Sequence, residues 1–141
     1  MRLMGRIVAI DYGKKRTGLA VSDPLQLIAG GLTTIDSYKT VNYLKQYVES
    51  NEVDLFVLGD PKQMDYQPSE NAGRVVVFRE KLQKALPNIP IEMVDERFTS
   101  VLAHQAMLDG GLKKTQRQNK ALVDELSATI LLQSYLESKR K

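Results

Sequence analysis

The stretch Ile7-Val8-Ala9-Ile10-Asp11-Tyr12-Gly13-Lys14-Lys15-Arg16-Thr17-Gly18-Leu19-Ala20-Val21-Ser22 decides the fold. Residues 4–12 read as a strand. Ile7 to Ile10 is a continuous apolar run, the pattern of a central strand covered on both faces. Gly13 and Gly18 bracket a turn, and Thr17 to Ser22 reads as a second strand close enough to close a hairpin. Gly13 and Gly18 also form a Gly-x4-Gly spacing. Leu19-Ala20 follows where a P-loop needs Lys-Ser/Thr, so a P-loop is excluded. The hairpin also resembles the phosphate hairpin of actin-like and sugar-kinase ATPases. Those need two such domains, and 141 residues leave room for one.

Outward from the hairpin, Asp23-Pro24 breaks the chain, and a third strand falls around Ile28 to Thr34. Ser37 to Ser50 reads as a helix, with Val41, Leu44 and Val48 on one stripe. Val53 to Leu58 is a strand, and 59–73 reads as a long loop that orders on substrate binding. Gly73 to Leu86 is a helix, and Ile91 to Val94 a strand entered through Pro87 and Pro90. A helix capped by Thr99 or Ser100 runs to Leu108, and a last helix runs from near Thr115 to about Leu136. A leading meander followed by alternating helices and strands predicts an α/β fold. Its five-stranded mixed sheet joins a three-stranded antiparallel meander to two parallel strands, with helices on both faces.

Composition narrows the chemistry. The length fits a single domain over 1–141, with a basic tail at about 137–141. No cysteine excludes a disulfide scaffold, a thiolate zinc site and a cysteine nucleophile. One histidine, His104, excludes a His-rich metal cluster and argues against a Ser/His/Asp triad. No apolar run approaches a membrane span, and the N-terminal run is too short for a signal peptide, so a cytoplasmic location is expected. The net charge of +3 is small, but its distribution is uneven. Lys14 to Arg16, Lys113 to Lys120 and Lys139 to Lys141 hold 10 of the 20 basic residues and no acid. Such clusters suit a phosphate-binding surface, and also a plain solvated one.

Three strands end in acid: Asp11, Asp60, and Asp95-Glu96. Ligand crevices of open α/β sheets lie beyond the carboxyl ends of parallel strands. Carboxylates meeting there repel unless a cation offsets them, and oxygen-only ligation suits Mg²⁺. The same acids also suit turns and helix caps. The last helix is apolar nearly all round and is interrupted by Asp124 and Glu125. A buried carboxylate needs a partner, and periodicity does not choose between these two.

Together these residues resemble a known family. Asp11-Tyr12-Gly13-Lys14-Lys15-Arg16-Thr17-Gly18-Leu19-Ala20 resembles the D-Y-G-x-x-R-x-G-x-A motif of the YqgF-type pre-16S rRNA nucleases. These are also described as Holliday-junction-resolvase-like proteins and have the ribonuclease H-like fold. Val94-Asp95-Glu96-Arg97-Phe98-Thr99-Ser100 is similar to the second motif, V-D-E-R-x-T-[TS], and Lys120 with Asp124 to the third. Gly59-Asp60-Pro61 fits the family's G-x-P. Ser127 and Leu131 depart from the third motif without touching a carboxylate. The resemblance spans about residues 4–136.

The resemblance implies a divalent-metal-dependent endonuclease using Mg²⁺ or Mn²⁺. It selects Asp124 over Glu125, demotes Asp60 to a turn residue, and implies Asp11, Glu96 and Asp124 as catalytic, metal-holding carboxylates. Around them, Lys14, Lys15, Arg16 and Arg97 are expected to hold backbone phosphates, with an Asp95 ion pair as the other reading of Arg97. Lys113, Lys114, Arg117 and Lys120 are expected to form a basic arm. The expected substrate is structured RNA, the 5′ end of pre-16S rRNA, with branched four-way DNA as the alternative. Junction cleavage would need a homodimer, RNA trimming only a monomer. A non-catalytic nucleic-acid-binding module is the remaining reading, and the intact acid set argues against it. Tyr12 is either a base-stacking or a packing residue.

Overall fold

The computed structural model describes residues 5–60, 70–95 and 120–139, with side chains over 5–60, 73–94 and 124–139. Strands β1 (Arg6–Tyr12), β2 (Arg16–Ser22) and β3 (Ala29–Asp36) are followed by a 3-10 turn at Ser37–Lys39 and helix α1 (Thr40–Ser50). Then come β4 (Val53–Asp60), α2 (Glu70–Ala85), β5 (Ile91–Asp95) and α3 (Lys120–Lys139). The sheet order is β3-β2-β1-β4-β5. β1–β2 and β2–β3 are antiparallel, whereas β4 runs parallel to β1 and β5 parallel to β4. This is the expected mixed sheet of a meander and two parallel strands.

Alternation along β1 explains its unbroken apolar run. Val8 and Ile10 pack with Leu19, Phe56 and Leu58 against Leu44 of α1 and Val75, Phe78 and Leu82 of α2. Ile7 and Ala9 pack with Ala20 and Val57 against Ala128, Leu131, Leu132, Tyr135 and Leu136 of α3. Both faces of the strand are therefore dry, as a central strand requires. Each large side chain fully buried this way contributes about 1.5–3 kcal/mol. The residues under α3 are small: Ala9 and Ala20 lie in its core cluster, and Gly18 and Gly31 lie directly beneath it. That lets the helix backbone approach the sheet closely.

Several boundaries differ from the sequence reading. The helix expected from Ser37 starts as a 3-10 turn and becomes α-helical only at Thr40. β3 is shifted to Ala29–Asp36, and β4 continues through Gly59 and Asp60, because its ladder pairing to β5 outlasts the apolar run. Residues 70–73 are helical, which shortens the expected 59–73 loop at both ends, and 61–69 lie outside the described residues. The basic tail expected from 137 is helical through Lys139, since Tyr135 and Leu136 anchor the last turn in the core. Lys139 also suits the negative end of that helix. The helix expected at 99–108 and the start of the last helix lie outside the described residues.

Candidate active site

Asp11 occupies the last turn of the pleat in β1, with Gly18 of β2 as its register partner. Directly opposed antiparallel residues share a face and lie about 4.5–5.5 Å apart at Cα. The pair Ala9 and Ala20, one step back, lies in the α3 core cluster, so Asp11 and Gly18 belong to the α3 face. Helix α3 crosses at that point. A Cβ built on Gly18 would overlap the carbonyl group of Asp124 and lie 3.0 Å from the Glu125 nitrogen. Gly18 is thus the seat on which the α3 backbone rests. The fold brings Asp11 and Asp124 to one end and one face of the sheet.

The two acids of α3 point to different places. The Asp124 Oδ2 atom accepts from Arg16 Nε at 3.0 Å. The Glu125 carboxylate instead lies over Gly31 of β3. Asp124 therefore points to the carboxyl end of β1 and Glu125 to the sheet edge. Asp60 pairs with Asp95 and, by alternation from Phe56 and Leu58, falls on the opposite face from Asp11. Expected in a turn, Asp60 instead stands within β4, where ladder pairing with Asp95 carries the strand past its apolar run.

The turn linking β1 to β2 is held from outside the hairpin. Ser37 Oγ donates to the Gly13 carbonyl at 2.6 Å and lies 2.8 Å from Thr17 Oγ1. The Ser37 N–H donates to the Lys15 carbonyl at 2.9 Å. Gly13 is required because a Cβ there would stand 2.6 Å from the Arg16 carbonyl oxygen. Lys14 and Lys15 project from this fixed turn as exposed cations. Arg16 differs from them: it is half-buried and pairs with Asp124 through Nε. Tyr12 stacks on Phe78 of α2 with centroids 4.3 Å apart, which makes it a packing residue.

Glu96, Arg97, Lys113, Lys114 and Arg117 lie outside the described residues, as does the side chain of Lys120, which opens α3. Among the described residues no three metal-binding side chains gather. The donor set nonetheless suits a hard cation: Asp11 and Asp124 bring only oxygen, and Glu96 directly follows β5 in the chain. Sequence reasoning missed Ser37, whose contacts with Gly13 and Thr17 span 24 and 20 residues and leave no local pattern.

A cleft of about 590 Å³ lies at the other end of the sheet, lined by Ile7, Asp54, Leu55, Pro90 and Tyr135 among others. It contains none of the candidate carboxylates. At its edge Tyr135 donates to Glu92 Oε2 at 2.8 Å. Burial first, and the Glu92 carboxylate second, push the Tyr135 pKa up to about 12. No helix among the described residues is long and apolar enough to cross a membrane.

A five-stranded mixed sheet in the order β3-β2-β1-β4-β5, with helices on both faces, is the ribonuclease H-like fold. T. thermophilus RuvC, solved in complex with a Holliday junction substrate, has this fold too, with a TM-score of 0.58 over 96% of both chains at 17% identity. The model of the RuvX family, described as Holliday junction resolvase, matches residues 5–138, and the chain belongs to that family. A relative from Phocaeicola vulgatus is 64% identical over 137 residues, covering 97% of this chain and 99% of that protein. One from Azobacteroides pseudotrichonymphae is 60% identical over 138 residues, covering 98% and 100%. Both carry the name "Putative pre-16S rRNA nuclease".

Proposed function

We propose that this chain is a divalent-metal-dependent endonuclease that matures the 5′ end of pre-16S rRNA. The name shared by its full-length relatives supports the substrate. The observation that carries the chemistry is the seating of the Asp124 backbone on Gly18, the register partner of Asp11. Asp11 and Asp124, with Glu96 after β5, would hold Mg²⁺ or Mn²⁺. When bound, such an ion offsets charge on the phosphodiester and lowers the pKa of the attacking water. Arg16 donates to Asp124 Oδ2 and so offsets the charge of that carboxylate while no cation is bound. Lys14 and Lys15, held beyond Asp11 by the Ser37 clamp, would position backbone phosphates without reading sequence. Arg97, Lys113, Lys114, Arg117 and Lys120 are assigned to the same phosphate-holding role.

The test is cleavage of a 16S precursor leader and of a four-way DNA junction with Mg²⁺ or Mn²⁺. The expected result is metal-dependent cut RNA, lost in Asp11→Asn with the fold retained. Undiminished cleavage by that variant would remove Asp11 from the mechanism. The second reading is a junction resolvase, favoured by the family's description. Preferential, paired cutting of the four-way junction would establish it instead.

A further inference from the structure

The 3-10 turn at Ser37–Lys39 follows β3 and braces the β1–β2 hairpin through Ser37, while its other side chains take no part in the chemistry above. Its middle residue, Tyr38, is 80% exposed. Single exposed apolar residues are common and need no explanation. Tyr38 differs in its mounting and its neighbours. Ser37 before it is buried and makes three contacts to the β1–β2 turn, so the ring stands on a rigid base. Lys39 after it holds its ammonium 5.6 Å from the Tyr38 ring centroid. Lys39 also lines a cleft of about 280 Å³ together with Arg16, Thr34, Ile35 and Asp36. Arg16 is the residue that contacts Asp124.

These residues form a continuous track. Asp36 is the register partner of Arg16, and Tyr38 is two residues further along. Two residues span at most about 7 Å and paired strands about 5 Å, so the Tyr38 backbone lies within roughly 12 Å of Arg16. That is a few nucleotides of single strand. An exposed ring flanked by cations is how proteins hold unpaired bases: the ring stacks on any base and the cations track the backbone. Asp36 removes part of the positive charge by its 3.8 Å pair with Lys39, which leaves stacking as the dominant contact.

We propose that Tyr38, with Lys39 and the cleft it shares with Arg16, is a subsite for an unpaired RNA nucleotide flanking the phosphate to be cut. It rests on the nuclease reading for its orientation toward the acids. The stacking contact itself needs no metal. The subsite would favour precursor RNA with single-stranded flanks over fully paired substrate.

The experiment measures binding of short single-stranded RNA carrying a fluorescent adenine analogue, and of blunt duplex RNA, in EDTA. Tyr38→Ala is expected to weaken single-strand binding about tenfold, within the range for loss of one stacked base, and to leave duplex binding unchanged. Tyr38→Phe is expected to retain parental affinity and the same quenching of the analogue. Lys39→Gln is expected to reduce the magnitude of the log-log salt slope by about 0.7 for single strands. Unchanged single-strand affinity in Tyr38→Ala, or an equal loss on duplex, would overturn the subsite. Stacking does not read the sugar, so a comparable loss is expected on single-stranded DNA of the same sequence. Because no metal is present, these outcomes are independent of the Asp11→Asn cleavage test. Failure of that test alone leaves the stacking result readable, and failure here leaves the metal chemistry intact.

Discussion

Replacing Gly18 with alanine isolates the seating of α3 from every charged group. The added Cβ would overlap the Asp124 carbonyl and lie 3.0 Å from the Glu125 nitrogen, all backbone atoms of a helix packed in the core. No flexible side chain is available to yield. The helix must therefore lift from β2 by on the order of 1 Å, and overpacking of this kind costs about 1–3 kcal/mol. Losing a glycine from the unfolded chain returns about 0.4–1 kcal/mol. The net loss is roughly 1–2 kcal/mol, or about 4–8 °C in Tm for a chain of this size. Gly30→Ala is the control: its Cβ meets nothing within 4 Å, so only the stabilising part remains. Thermal unfolding of the two variants measures the difference, and calorimetric Mn²⁺ titration reads the site. Gly18→Ala is expected to bind Mn²⁺ more weakly and to lose about 100-fold in cleavage rate, as misplacement by an ångström does elsewhere. A Gly18→Ala protein as stable as Gly30→Ala, with parental Mn²⁺ affinity, would refute the reasoning.

Arg16→Gln removes a cation beside Asp124, so Mn²⁺ binding without nucleic acid is expected to tighten about fivefold, near the 1 kcal/mol of unit charges in water. Stability should change by less than about 1 kcal/mol, because the pair is partly exposed; weaker metal binding would mean that orientation of Asp124 outweighs repulsion. Ser37→Ala strips two oxygen contacts from the hairpin and is expected to cost about 1–3 kcal/mol, with faster amide exchange at the Lys14–Lys15 turn as its local signature. Tyr135 has a folded pKa raised to about 12 from an ordinary 10, so its contribution is complete below pH 10 and is lost as pH rises through 12. Tyr135→Phe is expected to flatten the stability decline over that window, and to lose about 1.5–3 kcal/mol at neutral pH with the Glu92 hydrogen bond, both read by denaturant unfolding.

The sheet was legible because its signal is local. Ile7 to Ile10 fill both faces of one strand, and the turn between Gly13 and Gly18 is short enough to force a hairpin. Strand ends were less legible, since Gly59 and Asp60 stay in the sheet through ladder bonds to β5, which apolarity does not record. Of the candidate site, Asp11 was readable as an acid at a strand end. Asp124 and Glu125 were inseparable by helical period because both fall on the sheet-facing stripe with Ala128, Leu131 and Leu132. Only the resemblance chose between them; what separates them in the structure is tertiary, the different glycines beneath each residue. Arg16 was grouped with Lys14 and Lys15 by sequence adjacency. The pleat separates it from them, because β2 starts at Arg16 and the lysines remain in the turn.

The spacing of the first motif follows from that pleat. In β2, residues 16, 18 and 20 share one face, and Ala20 fixes it as the α3 face. Register then places Asp11 opposite Gly18 on the same face. The intervening Thr17 points the other way, where it is buried against Ser37. Each fixed position of the motif therefore does one job on one side of the hairpin. Asp11 supplies a carboxylate, Gly18 admits the helix backbone, and Arg16 meets the acid that the helix brings. An insertion of one residue within β2 would exchange the faces, setting Thr17 under α3 and Arg16 against the α1–α2 core. An insertion in the turn, between Gly13 and Lys15, would keep both faces but detach the Ser37 clamp. The placing of Asp11 and Asp124 at one end and one face of the sheet is thus a property of hairpin register rather than of loop conformation.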